Sequence, residues 1–282
     1  MPIRTLRARA LALRPALPHN GGSQPPEGTS VQVRHLYRYP VKGLTSEPLD
    51  RVDLDAGATI AGDRAYAIEN GPSGFDAAAP AFQPKTKFLC WFKNPRLAAI
   101  DARLDLARSV LFLKAEGYGQ AIGRLDAPDG RQAIEAWLTR FMDGEAEGPL
   151  KLLAAPGHTF SDSGRKVLSL INLDSVAELS ALEGRELDRR RFRGNLYFEG
   201  GMPWAEADWV GRTLAIGPVA RFRVVKTIRR CLATHVDPDR GIRDIATLDL
   251  LKQRRGNVDC GVYAEVIAPG VVAPGDAIRV ED

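Results

Sequence analysis

Short runs of alternating apolar and polar residues, cut by glycine and proline, dominate the chain from residue 31 onward, and this period of two restricts it to a mainly β architecture. VQVRHLYRYPVK (31–42), PLDRVDLD (48–55) and DRAYAIEN (63–70, closed by the turn signal NGPSG) each read as strand. LAAIDARL and SVLFLKA follow between Leu97 and Ala115, then LYFE (196–199), TLAIG (213–217), ARFRVVK (220–226), GVYAEVI (261–267) and DAIRV (276–280). Runs this short, with Gly- and Pro-bearing connections, point to a barrel or sandwich rather than to β-α-β units. GPSGFDAAAPA, Gly71 to Ala81, reads as a loop of small residues. No repeat of fixed period is present.

A helical period intrudes twice. In DGRQAIEAWLTRFMDG the apolar residues Ala133, Ile134, Trp137, Leu138 and Phe141 share one face, with Asp129 as the expected cap and Gly144 as the stop. NLDSVAELSALEG follows VLSLI, which reads as a further strand, and Ser175 and Glu178 stand at capping-box spacing. The fold class expected is mainly β with a few helices, α+β. The organisation expected is a tail and linker at 1–30, a first domain at 31–155 and a second at 156–282.

Composition narrows the function classes. Of the formal charge of +4, the first thirty residues carry +3, since Arg4, Arg7, Arg9 and Arg14 face only Glu27 there. The rest of the chain is close to neutral and offers no basic stripe, so no nucleic-acid partner is expected. That first segment, Arg-rich and acid-poor before a Gly/Ser/Pro linker, reads as a disordered extension, with organellar targeting as the alternative. No run of eighteen apolar residues occurs, so no transmembrane helix is expected. Three cysteines without paired spacing argue against a disulfide framework and for a reducing, cytoplasmic setting. No Gly-rich nucleotide fingerprint follows any strand.

The residues with chemistry cluster late. RRCLATHVDPDRG (229–241) places Cys231 behind Lys226, Arg229 and Arg230, and basic neighbours favour a thiolate, the form that attacks or ligates a soft metal. The competing reading is a small buried hydrophobe. Cys231 with His235 as two zinc ligands is a third, lacking a second matched pair. Cys90 and Cys260 read as structural. Anion-friendly positions recur at Lys42, Arg64 and the run DRRRFRGN, where Arg193 and Asn195 alternate around Gly194 and are expected on one strand face.

YPVKG, the later DR, SDSG, RFRGN and above all RRCLATHVDPDRG followed by GVYAEV and PGDAIRV resemble the MOSC family, which includes the molybdenum cofactor sulfurase C-terminal domain and the mitochondrial amidoxime-reducing component. The resemblance runs from about Val31 to Val280. It implies a MOSC-type β-barrel core preceded by an N-terminal β-barrel-like region. It also implies a molybdenum-pterin cofactor whose metal Cys231 ligates, with Lys42 and Arg64 on the cofactor's phosphate, Asp162 and Ser163 in a cofactor loop, Arg193 and Asn195 at the pterin end, Tyr263 beside it, and Asp237 shaping the site below the metal. The activity implied is reduction of small N-hydroxylated or N-oxide substrates. No iron–sulfur spacing is present, so an external electron donor is expected, ferredoxin-like or cytochrome b5-like with its reductase. The alternative is a sulfur-handling or cofactor-carrier protein using the same cysteine. Three positions depart from the pattern: Gly43 where relatives often carry serine, Gly194 in place of proline, and Arg229 in place of a small residue.

Overall fold

The computed structural model describes residues 30–281. The expected tail, with any address it carries, lies outside them. Fifteen strands and three α-helices follow in the order β1 (Gln32–Arg38), β2 (Glu47–Leu49), β3 (Val52–Leu54), β4 (Tyr66–Asn70), β5 (Asp101–Asp105), β6 (Val110–Ala115), β7 (Gly119–Arg124), α1 (Pro128–Met142), β8 (Leu150–Ala154), β9 (Leu168–Asn172), α2 (Leu173–Glu183), β10 (Leu196–Glu199), β11 (Thr213–Ile216), β12 (Ala220–Arg229), α3 (Thr247–Arg255), β13 (Asp259–Ala268), β14 (Gly270–Val272) and β15 (Ile278–Glu281). The protein is mainly β, as its alternation requires. Among the described residues no helix is long and apolar enough to cross a membrane.

The largest sheet orders its strands β15-β11-β12-β13-β9-β10-β1-β2. It curls until β1 meets the chain entering β15, where Val33 N–H donates to Asp276 O (2.9 Å), Gly275 N–H to Val33 O (2.8 Å) and Ile278 N–H to Val31 O (2.7 Å). Closing the sheet on itself satisfies backbone groups that an open edge would leave exposed. Strands from both sequence regions therefore share one sheet, and β14 reaches back to pair with β3. A three-stranded meander, β5-β6-β7, and the β4-β8 pair stand beside it.

Alternation sorts side chains between two cores. Leu196 and Phe198 of β10 join Val33, Phe222 and Val262 in one cluster, whereas Tyr197 between them joins Ile171, Leu179 and Leu251 under α2 and α3. β9 is buried at all five positions because both of its faces are covered, which explains why its sequence reads as a continuous apolar run. A further core surrounds Trp91, Leu111, Trp137 and Phe141, where α1 packs on the meander.

Several boundaries differ from the sequence reading. Residues 97–99, the start of the run LAAIDARL read as strand, belong instead to a 3-10 turn over Pro95–Ala99 opened by Pro95, whose fixed φ suits a helical start. The run 48–55 splits into β2 and β3. α1 begins at Pro128, with Ala127 in the cap position and Asp129 inside the first turn. α2 is capped by Asn172, whose side chain accepts from Asp174 N–H at 3.0 Å. Ser175 and Glu178 make no capping box; their side chains meet Trp204 instead. One β-α-β crossover does occur, because β9 and β10 are parallel neighbours joined through α2. α3 has no clear apolar period in TLDLLKQRR, so the sequence does not mark it as a helix.

Candidate functional site

β12 ends at Arg229 and delivers the chain, still extended at Cys231 (φ −137°, ψ 178°), into a 3-10 turn over Leu232–His235. The carbonyl of Cys231 accepts from both the N–H and the hydroxyl of Thr234, each at 3.0 Å, so the turn holds the residue in place. Arg230 pins it from the other side. Its guanidinium donates to Cys260 O and to Phe192 O (2.9 Å), tying the strand end to β13 and to the 3-10 turn at 189–192. Cys231 is left half-buried and free of disulfide partners, on the wall of a cavity of about 400 Å³.

The wall of that cavity carries eight basic residues, Lys42, Lys85, Lys226 and five arginines at 64, 191, 193, 229 and 230, against a single carboxylate, Asp162. Some of the cations have counter-ions. Lys42, buried, donates to Asp162 and to Phe160 O (2.8 Å). Arg64 sits in the left-handed region (φ 51°), which turns its side chain onto the buried Asp63 at 2.5 Å. Burial disfavours the Arg64 cation, but Asp63 outweighs it and its pKa lies above the ordinary arginine value. Arg191 is held by Asp244 at 2.7 Å and lies 3.8 Å from Asp237.

Arg193 differs. It too is left-handed (φ 49°), and its guanidinium donates to Leu44 O at 2.9 Å and lies 4.5 Å from the centres of both the Tyr39 and Trp91 rings. No carboxylate of the described residues pairs with it or with Arg230. Burial pushes the Arg193 pKa down; Tyr39 opposes this and the charge of Arg64 adds to it. An enclosed guanidinium without a counter-ion remains charged and is an anion receptor.

Lys85, from a 3-10 turn at Lys85–Lys87, lies 3.9 Å from Asp162. Burial works against its charge, but Asp162 and the Cys231 thiol outweigh it and raise its pKa. Tyr263 of β13 shares the wall, with its pKa raised by burial and by Asp162.

Of the residues singled out in the sequence, Lys42, Arg64, Asp162, Arg193, Asn195, Cys231 and Tyr263 are brought together here. Asn195 reaches the wall with its amide spent, its Oδ1 accepting from Ser169 N–H and hydroxyl and its Nδ2 donating to Tyr37 O. It is not on a strand with Arg193, since β10 starts only at Leu196. Ser163 stays behind the wall, its hydroxyl accepting from Arg165 N–H. Asp237 also stays behind it, its carboxylate accepting from the N–H groups of Asp239 and Arg240. His235 turns away from the cysteine and accepts from Leu248 N–H at 3.2 Å, and no cluster of three or more potential metal ligands forms among the described residues.

Three contributors escaped the sequence, whereas Arg191 belongs to the anion-friendly run DRRRFRGN and does line the wall. Ser169 sits in a run whose inward positions no pattern marks. Lys85 has no local signal, being carried in by a turn far from the cysteine in sequence. Cys90, read as structural, borders the cavity while only 7% exposed.

The fold and the site together define a mainly β protein whose curled sheet presents a cysteine to a cation-lined cavity. Residues 30–147 match the MOSC N-terminal beta barrel domain and residues 156–279 the MOSC domain, and the chain belongs to the MOSC family, which is associated with molybdenum-cofactor binding. Among solved structures it is similar to the YUAD protein from Bacillus subtilis (13% identity over 89% of this chain and 95% of that one, TM-score 0.43). YiiM from Geobacillus stearothermophilus is similar over less, at 18% identity, covering 41% of this chain and 54% of that one, TM-score 0.29. Among curated proteins none is significantly similar.

Proposed function

We propose that the protein is a molybdenum-cofactor-dependent reductase of N-hydroxylated or N-oxide compounds, supplied with electrons by a separate donor. The observation that carries this reading is the convergence on one cavity of a free, half-buried cysteine and buried or enclosed cations, two of them without counter-ions. A thiolate suits a soft metal. Guanidinium and ammonium groups suit a phosphate-bearing anion. The residues present therefore fit a molybdenum-pterin cofactor. When bound, it would supply two-electron redox chemistry that no side chain of this chain offers.

The chain's own contributions are positional and electrostatic. Cys231 would hold the metal, fixed by the Thr234 turn and the Arg230 clamp. Lys42 and Arg64 would meet the phosphate, and Arg193, wedged between Tyr39 and Trp91, would meet a further anionic or acceptor edge. Asn195 would act by locking β9 and β1 behind the wall, since its amide is already engaged. Reduction of R-NHOH to R-NH2 and water takes two electrons and two protons. The electrons come from the donor, and Lys85, close to Cys231 and Asp162, is placed to supply a proton.

Metal and pterin content of wild type beside Cys231→Ala, after expression in a host that makes the cofactor, tests the reading. Near-stoichiometric molybdenum that is lost in the variant, with turnover of hydroxylamine-type substrates by wild type, supports it. Absence of both metal and pterin from wild type overturns it, and content without turnover favours a carrier.

A further inference from the structure

The cations of the cavity divide by exposure. Lys42 and Arg191 are enclosed, 5% and 4% exposed, each with a carboxylate partner. Lys226 and Arg229, on the same wall, are exposed. Neither side chain has an ion pair or hydrogen bond among the described residues, and Lys226 makes only a contact with the Tyr263 ring, 5.8 Å from its centre. The natural partner for Arg229 is Asp259, its cross-strand neighbour on β13, yet that carboxylate accepts from the Thr227 hydroxyl at 2.8 Å. Asp162, the only acid in the wall among the described residues, is taken by Lys42. An exposed arginine on a convex surface is usually solvated and contributes little. Two cations left unpaired in a concave wall that also carries Cys231 instead concentrate field on whatever enters.

We propose that this exposed part of the cavity wall selects substrates bearing a negative charge, a carboxylate or similar anion held by Arg229, with Lys226 on the same wall, while the nitrogen–oxygen group faces Cys231. The assignment rests on the reductase reading above and names its substrate class. Arg229 and Cys231 are two residues apart in extended chain, so their Cα atoms are about 6–7 Å apart. The anion then belongs on a compact scaffold, several bonds from the reducible group; an N-hydroxylated aromatic or short aliphatic carboxylic acid has that form. A carboxylate also matches the planar fork of a guanidinium in two hydrogen bonds, which the ammonium of a lysine does not.

The test compares a carboxyphenyl amidoxime with its neutral methyl ester, as substrates and as ligands followed by calorimetry, on cofactor-loaded wild type, Arg229→Ala and Arg229→Lys. The expected result is a wild-type preference for the acid of about tenfold in kcat/KM, the scale of one hydrogen bond to a charged group. The preference is carried in KM, is abolished in Arg229→Ala and is partly kept in Arg229→Lys. Equal handling of acid and ester by wild type, or a preference that survives Arg229→Ala, overturns the proposal. A loss in Arg229→Ala that appears only as a raised KM for the donor protein also overturns it and assigns the patch to the donor. Calorimetric binding of the acid that depends on Arg229, without turnover of either compound, keeps the anion site and removes the reductase reading instead.

Discussion

Lys42 donates to the carboxylate of Asp162, 120 residues further along the chain, and so fastens the turn after β1 to the loop after β8 across the floor of the cavity. The same ammonium also donates to Phe160 O, and with its side chain 6% exposed it has no access to bulk water as an alternative. A ligand phosphate arriving here competes with Asp162 for a cation that is already in place.

Lys42→Ala removes the cation, leaves the buried Phe160 carbonyl without its donor and leaves Asp162 with only the more distant Lys85, 3.9 Å away. The expected cost is about 1–3 kcal/mol of stability, together with loss of bound cofactor. Urea denaturation of the cofactor-free protein reads the first and metal content the second. A variant that keeps both would show that Lys42 holds neither the loop nor the phosphate.

Asp162 titrates in a predictable direction. Burial raises its pKa, but the charge and hydrogen bond of Lys42, with Lys85 behind, outweigh this and hold it below the ordinary 3.8. A carboxyl depressed on folding contributes stability above its unfolded pKa and loses that contribution as pH falls through the folded value. Wild type is therefore expected to lose stability more steeply below about pH 4 than Asp162→Asn does, and denaturation midpoints taken from pH 6 down to pH 3 read the difference. Parallel curves would mean that the pair contributes no net linkage.

The three cysteines should separate by reactivity. Cys260 is fully enclosed and burial pushes its pKa up to about 12; Cys90 is raised as well, chiefly by burial. Cys231 alone is half-exposed. Iodoacetamide at pH 7.5 on the native, cofactor-free protein should label Cys231 first, and Cys231→Ala should take up almost none until denatured. Peptide mass analysis shows which residue is modified, and early labelling of Cys90 would reveal a cavity more open than its wall indicates.

Gly43 answers whether the missing serine can be restored. Its φ is +82°, and a Cβ built there would lie 2.3 Å from Leu89 O, a backbone atom that cannot swing away. Gly43→Ser should therefore destabilise the protein by about 1–3 kcal/mol rather than add a phosphate hydrogen bond, and thermal unfolding checks it. Unchanged stability with higher cofactor content would mean that the turn re-forms around the side chain.

Much of the fold was legible because strand and helix periods are local. The alternation of β1, β6 and β12 and the apolar stripe of α1 read directly off the residues. The capping of α2 did not, since Ser175 and Glu178 match a capping pattern but are drawn off by Trp204, a partner remote in sequence. The 3-10 turn at 95–99 was masked by apolar composition that suits a strand equally well.

The sequence by itself determined the mainly β class, the family, and the cysteine-centred stretch at 229–241, because periodicity and motif are properties of neighbouring residues. Only the tertiary structure decided which charges share a cavity and which are already spent. Lys85 enters the wall through a distant turn, Asp237 and Ser163 are consumed behind it by nearby backbone N–H groups, and Arg193 is left unpaired while Arg64, on the same wall, has Asp63 beside it. The physical reason is that a charge's role is set by what lies within a few ångströms of it, and in a sheet that curls back on itself those neighbours come from strands far apart in the chain.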